Sequence, residues 1–424
     1  MSGSINSTRK RDIFDFAVVG DGPVGLSSAL ALHKLGCSVV LIAAKPPTEA
    51  LTPLTPLDLR VYALAPDVLK FLATLGCNIQ TQPRACGYSS MRVFDADEAH
   101  VLAFNASDYG WPDLGCIVEH QCLQAQLWAQ VLTCQHVSHQ QVQQVGIKHI
   151  IGQADSYQTE DEHAVLHTAN DTVRARWVLD ASGAHSKLRA AAGISVAEHD
   201  YQQSAIVAHV RTEKPHAHTA WQRFTAAGTI ALLPMFDGSQ ALVYSALQAK
   251  ADALMELSDP DFLADLDSSF GLQLGRFTEV GARRKIGLRR MLAQQYVYGH
   301  LILLGDSGHT VHPLAGQGLN LGIRDVARLC SAVESLSGEP LSTAKMQSAL
   351  RQFERERKSE NAITAYGIEA LQILFLPASG PLKLLRNLGL RGVHRLTPIK
   401  RLFAELAAGQ VAGWPSYSDF KSKG

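Results

Sequence analysis

The sequence predicts an α/β protein, and three features carry that prediction: a glycine-rich strand–turn–helix near residue 20, a second glycine-rich turn after a strand at residue 301, and short β segments between them. The first feature opens with Phe14 to Val19, an apolar run suited to a buried strand. It leads into Gly20-Asp21-Gly22-Pro23-Val24-Gly25, then Leu26 to Leu35 at helical spacing, and Gly36 ends the helix. Ser38 to Ile42 reads as the next strand. In such a unit the first glycine permits the tight turn, the second lets backbone amides approach a diphosphate, and the third lets helix and strand pack closely. Gly20, Gly22 and Gly25 are therefore candidate dinucleotide-binding positions. The second strand of such a unit commonly ends in an acidic residue that accepts from ribose hydroxyls; Ala43 stands there, followed by Ala44 and Lys45.

Further along, Trp177 to Leu179 reads as a strand running into Asp180-Ala181-Ser182-Gly183-Ala184-His185-Ser186. Ala205 to Arg211, Trp221 to Phe224, Gly228 to Met235 and Ala241 to Ala246 read as strands of one sheet. Leu301 to Leu304 forms a strand ending in Gly305-Asp306, followed by Ser307-Gly308-His309-Thr310-Val311-His312-Pro313-Leu314-Ala315-Gly316-Gln317-Gly318-Leu319-Asn320 and a helix through Asp325. A carboxylate at a strand end can bind a ribityl or ribose hydroxyl, and a glycine-rich turn at a helix N-terminus offers amides to a polar ring edge.

Composition narrows the field. At 424 residues the chain exceeds what one core usually supports. The strand and helix alternation divides it into a discontinuous nucleotide domain over 12–85, 116–200 and 296–360, β-rich segments over 86–115 and 201–295, and a C-terminal helical region over 361–424. Thirty-nine basic residues balance 39 acidic ones, so no global field draws the protein onto nucleic acid. Seven scattered cysteines, with no CxxC pair and no zinc-like spacing, fit reduced thiols in a cytoplasmic protein and no metal site. Met1 to Arg11 reads as a short polar tail, and no apolar run is long enough to cross a bilayer. Residues 380–409 are basic and amphipathic, with Lys383, Arg386, Arg391 and Arg395 among leucines, which suits peripheral contact with anionic lipid of the inner membrane.

From Gly305 to Asn320 the chain resembles the flavoprotein aromatic hydroxylases, the p-hydroxybenzoate hydroxylase-like superfamily, nearly residue for residue in their GD motif and HPxxGQGxN stretch. Asp58-Leu59-Arg60 leading to Leu75-Gly76, Arg223-Phe224 through Leu232-Leu233-Pro234, and Asn387 to Leu390 are similar to the ubiquinone-biosynthesis hydroxylases within it. The resemblance covers almost the whole chain. It implies a Rossmann-like FAD-binding domain, an inserted β-sheet substrate domain that roofs the flavin, and a C-terminal helical region. It also implies an NAD(P)H-dependent monooxygenase that hydroxylates the ring of a polyprenylphenol with O2, through a flavin C4a-hydroperoxide, within a ubiquinone-biosynthesis complex. Carried over by position, Gly20, Gly22 and Gly25 hold the FAD diphosphate, Arg60 and Gln121 contact phosphates or the ribityl chain, and Gly305 and Asp306 bind the ribityl chain. Family members commonly carry arginine where Gln121 stands. Pro313, Gly316, Gly318 and Asn320 line the flavin; His309 and His312 are the candidate acid–base groups beside the ring, and no residue identifies itself as the base. Ser182 stands where the family usually has aspartate, a variant also seen in flavin reductases and halogenases, so a superfamily enzyme with another reaction is the alternative. A non-catalytic flavin- or lipid-holding member of a complex is the second.

Overall fold

The structure, a computed structural model, describes residues 13–47, 51–52, 54–94, 101–135, 146–160, 162–225, 228–312, 316–336 and 343–375. The chain opens with β1 (Phe14–Val19), α1 (Pro23–Lys34), β2 (Val39–Ala43), β3 (Val61–Leu64) and α2 (Pro66–Thr74). Next come β4 (Cys86–Tyr88), β5 (Ser90–Phe94), β6 (Val101–Asn105), β7 (Gly115–Glu119), α3 (His120–Gln135) and β8 (Lys148–Ile151). They are followed by β9 (Ser156–Thr159), β10 (Ala164–His167), β11 (Thr172–Asp180), α4 (Lys187–Ala191), β12 (Val196–Thr212), β13 (Thr219–Thr225), β14 (Gly228–Pro234) and β15 (Gln240–Leu247). The remainder is α5 (Gln248–Glu256), α6 (Asp259–Phe270), β16 (Phe277–Val280), β17 (Arg284–Ala293), β18 (Val297–Tyr298), β19 (Leu301–Leu303), β20 (His309–Thr310), α7 (Gln317–Glu334) and α8 (Thr343–Phe375).

The first sheet runs β18-β19-β11-β1-β2-β8, with β9 and β10 appended to β11. Its central strands are parallel: Val19 lies opposite both Asp180 and Ile42, and Asp180 opposite Leu303. Strands covered on both faces are apolar where they are buried, as in Phe16 to Val19 and all of β2; Asp15, at the less buried start of β1, accepts from Ser38 N and Oγ. One face packs against α1, α2, α3, α7 and the start of α8 through Leu26, Leu72, Leu127, Leu329 and Phe353. The other buries Val40, Val178, Leu188 and Tyr296. Each such side chain contributes about 1.5–3 kcal/mol on burial. Pro23 fits the first helical position of α1, where the missing amide hydrogen costs nothing, and Gly36 closes the helix at φ +83°.

The second sheet runs β20-β17-β12-β15-β14-β13-β5-β6, with β16 on β12. Alternation with period two divides its faces: Ile230, Leu232, Leu242 and Tyr244 pack under Phe262, Leu266 and Phe270 of α6. The intervening Leu233 and Ala241 face the opposite way, toward Leu57, Val61 and Ile117. β12 is longer than the sequence reading because its register against β17 shifts between Asp200 and Gln203, where Gln202 takes φ +54°. The bulge bends one strand across both halves of the molecule. A third, small sheet, β3-β7-β4, lies between the two larger ones; its short, partly polar strands carried no readable alternation. Among the described residues no helix is long and apolar enough to cross a membrane. The 380–409 stretch lies outside them.

Candidate functional site

The parallel register sets the ends of β1, β11 and β19 side by side, so three loops open at one edge of the sheet. Ala181 N donates to Val19 O (2.9 Å) and Leu304 N to Asp180 O (3.0 Å), tying the first glycine turn to the middle loop and the middle loop to the Gly305-Asp306 turn. A crevice at the carboxyl ends of parallel strands is where open α/β sheets bind ligands.

The three N-terminal glycines divide by what surrounds them. A Cβ on Gly20, at φ +127°, would lie 2.3 Å from Ala181 O, and one on Gly25 would lie 2.2 Å from Gly20 O. Both are required by packing. A Cβ on Gly22, the N-cap of α1, would meet nothing within 4 Å, so no packing inside the protein demands a bare position there. It stands before the N-terminus of α1, which carries no acidic side chain in its first turn. An open cradle at a positive helix end fits a diphosphate.

At the opposite loop, Gly305 takes φ +59° and a Cβ would meet Val24 of α1 at 3.1 Å. Asp306 has no hydrogen-bond partner for its carboxylate among the described residues. Burial pushes its carboxyl up, while the charges of His309 and Arg60 pull it down. Gly316, at φ +60°, caps α7, and Gly318 has nothing within 4 Å of a built Cβ. Asn320 is buried and its amide is used by backbone: Oδ1 accepts from Ala65 N (2.9 Å), and Nδ2 donates to Ala63 O (2.8 Å) and Gly316 O (3.2 Å). It thereby fixes β3 to the start of α7. Pro313 lies outside the described residues.

Arg60 is exposed, its guanidinium 5.5 Å from the Tyr62 ring centroid. Gln121 is held by the preceding loop: its amide nitrogens bond Asp58 Oδ2 (3.2 Å) and Pro56 O (3.1 Å). That loop is organised by a pair the sequence reading passed over. Arg84 and Glu119 form a buried two-point ion pair, Nε–Oε2 2.7 Å and Nη2–Oε1 2.8 Å. Arg84 Nη1 also donates to Thr52 O and Thr55 O (2.9 Å each), and Glu119 Oε1 accepts from Asp58 N (2.7 Å). His209 of β12 donates through Nε2 to Asp58 O (3.1 Å), so the segment leading to Arg60 is held from both sheets.

A second buried cluster lies behind Gly305. Asp325 of α7 accepts from Gly305 N (2.9 Å), His309 Nε2 (2.6 Å) and Arg357 Nε of α8 (2.7 Å). Burial opposes its charge, but His309 and Arg357 outweigh it and hold the carboxyl well below the usual carboxylate range. His309, fully buried and stacked on Tyr296, is therefore committed to this cluster. His312 is buried edge-on against Tyr201, with ring centroids 5.0 Å apart, and burial lowers it to about 4. In the middle loop Asp180 accepts from Ser182 N (3.1 Å), Ser182 Oγ (2.6 Å) and Ser186 Oγ. Arg189 bonds Ser307 O (2.8 Å), which joins this loop to the Gly305-Asp306 turn. Ser182 thus shapes the loop through Asp180. Arg84, a lone cation after a polar stretch, gave no spacing signal; Asp325 sat within the recognised motif, but its role emerges only with Arg357, 32 residues later.

The glycine cradle, the Asp306 carboxylate and the loops between them form a crevice with the chemistry a flavin nucleotide requires, and comparison with known proteins shows a FAD-binding family. Residues 14–361 match the family described as FAD binding domain. The 3-demethoxyubiquinol 3-hydroxylase of Escherichia coli is 32% identical over 93% of this chain and 98% of its own length. Ubiquinone hydroxylase UbiL of Rhodospirillum rubrum is 32% identical over 94% and 90% respectively. In fold, p-nitrophenol 4-monooxygenase PnpA from Pseudomonas putida superposes with a TM-score of 0.72 at 16% identity, covering 94% of this chain and 99% of that one. The chain belongs to the FAD-binding monooxygenase family, as a homologue of the ubiquinone hydroxylases.

Proposed function

We propose that this monooxygenase hydroxylates the aromatic ring of a polyprenylphenol on the route to ubiquinone, with NAD(P)H as electron donor. The observation that carries the reading is the full-length similarity to two ubiquinone hydroxylases, beside this chain's own continuous Gly305 to Asn320 motif. FAD, when bound, supplies the activation of O2 and the transfer of one oxygen atom to the ring. Gly22 and the α1 N-terminus receive its diphosphate, and Asp306 and Arg60 hold its sugar-alcohol chain and phosphates. Gly316 and Gly318 bring backbone amides to the ring edge. Leu57, Val61, Tyr88, Leu233 and Phe236, partly exposed between the small sheet and the second sheet, supply an apolar wall against which a prenylated ring is oriented and water kept away. The basic 380–409 stretch brings the chain to the lipid that dissolves such a substrate, in company with other enzymes of the route.

The test joins a visible absorption spectrum of the purified protein to quinone analysis of a strain lacking its gene. A flavin spectrum with an accumulated polyprenylphenol is expected. A flavin spectrum with normal ubiquinone would discard the substrate and leave the monooxygenase class standing.

A further inference from the structure

The groove between the two glycine turns has a polar wall beyond the residues already assigned. Gln124, in the second turn of α3, donates to Asp21 O (2.8 Å), so that face of α3 looks onto the Gly20–Gly25 turn. His120 lies one turn earlier on the same face. Its backbone N donates to Arg60 O (2.8 Å), and its Nδ1 meets Tyr62 Oη at 2.9 Å. In the neutral tautomer that accepts the phenol hydrogen at Nδ1, the ring proton sits on Nε2. Nε2 has no hydrogen-bond partner among the described residues, and the side chain is half-buried.

We propose that His120 is a further cofactor-binding residue, which presents Nε2 to the FAD diphosphate and takes up a proton as that dianion enters. The charged and titratable groups facing it are Arg60 and Asp58 from the segment before β3, Tyr62 on β3 and Asp21 in the glycine turn. Burial first, and then the charge of Arg60, hold the imidazole below its ordinary value, with Asp58 and Asp21 acting the other way. A diphosphate beside Arg60 reverses the sign of the local field, and the proton that was disfavoured becomes favoured. Tyr62 accommodates either state, because its hydroxyl donates to a neutral Nδ1 and accepts from a protonated one. The inference rests on the FAD reading of the glycine turn and deepens it: beside the fixed charge of Arg60, the diphosphate meets a titrating one.

The linkage has a definite sign. If the bound form holds the proton and the free form does not, FAD affinity falls as pH rises, by about tenfold for each unit that binding raises the imidazole pKa. The test titrates apoprotein with FAD by flavin fluorescence from pH 5.5 to 8.5, with proton uptake measured calorimetrically in buffers of different ionisation enthalpy. The wild type is expected to weaken about tenfold across that range, His120→Gln to lose the slope and the proton uptake, and His120→Arg to bind tightly at every pH. Apoprotein melting curves establish that both variants are folded. Equal slopes in wild type and His120→Gln would overturn the inference while leaving the FAD site intact. Failure of the wild type to bind FAD at any pH would instead remove the reading on which it rests.

Discussion

Replacing Gly22 by alanine separates binding from folding. The added methyl meets nothing within 4 Å, and Gly22 sits at φ −71°, ψ 168°, a backbone conformation alanine adopts freely. The change removes a little unfolded-chain entropy and slightly weakens the helix cap, so the apoprotein's stability should move by less than about 1 kcal/mol. The methyl does occupy the space through which a diphosphate reaches the backbone amides. Loss of two hydrogen bonds to a charged group, about 1.5 kcal/mol each, gives about 3 kcal/mol, or roughly a hundredfold in Kd. Gly20→Ala is the counter-case, since its methyl would lie 2.3 Å from Ala181 O at φ +127°. Overpacking and backbone strain together should cost the fold about 3 kcal/mol or more. Urea denaturation of the two apoproteins, with FAD titration of whichever folds, reads both numbers. A Gly22→Ala protein that binds FAD like the wild type would refute the assignment of this turn; one that unfolds would refute the geometry.

Three other perturbations follow from the buried clusters. Asp325→Asn keeps the shape but leaves His309 without its carboxylate and Arg357 with Glu360 alone, and chemical denaturation should show a loss of about 3 kcal/mol. Arg84→Met strands Glu119 and should cost a similar 3–5 kcal/mol, much of it recovered in the Arg84→Met/Glu119→Leu double variant; a double variant no better than the single one would mean that Arg84 acts through the carbonyls of Thr52 and Thr55 instead. His312 titrates near 6.5 unfolded and at about 4 folded, so between those values only the unfolded chain takes the proton. Its contribution is fully present above pH 6.5 and declines by about 3 kcal/mol toward pH 4, and His312→Gln should flatten that part of the stability profile.

The fold was legible wherever one strand or helix had one environment. β1 spans the residues read for it, because Phe16 to Val19, buried on both faces, form an unbroken apolar run. The glycine turn was legible for a related reason: two of its three glycines are forced by backbone contacts within the motif. The small sheet was not, since β3 and β4 are three or four residues long and partly exposed, and β7, though buried throughout, is only five. Nor were the charge clusters. Arg84 and Glu119 are 35 residues apart, and Arg324 pairs with Asp67 across 257; contacts at such separations leave no periodicity. His309 shows the reverse, a residue conspicuous in its motif whose Nε2 bonds Asp325 while its buried Nδ1 has no hydrogen-bond partner among the described residues.

The bond from Arg357 to Asp325 also bears on how the protein is made. Every glycine of the cofactor crevice has been synthesised by residue 322, yet the aspartate that holds Gly305 lacks its arginine until α8 has followed. A nascent chain stopped short of Arg357 contains the whole crevice but must bury Asp325 with only His309 to balance it, a costly state. Full support of the Gly305 turn therefore comes from a helix outside the crevice, and a chain truncated before Arg357 should retain FAD poorly and be cleaved faster than the full chain.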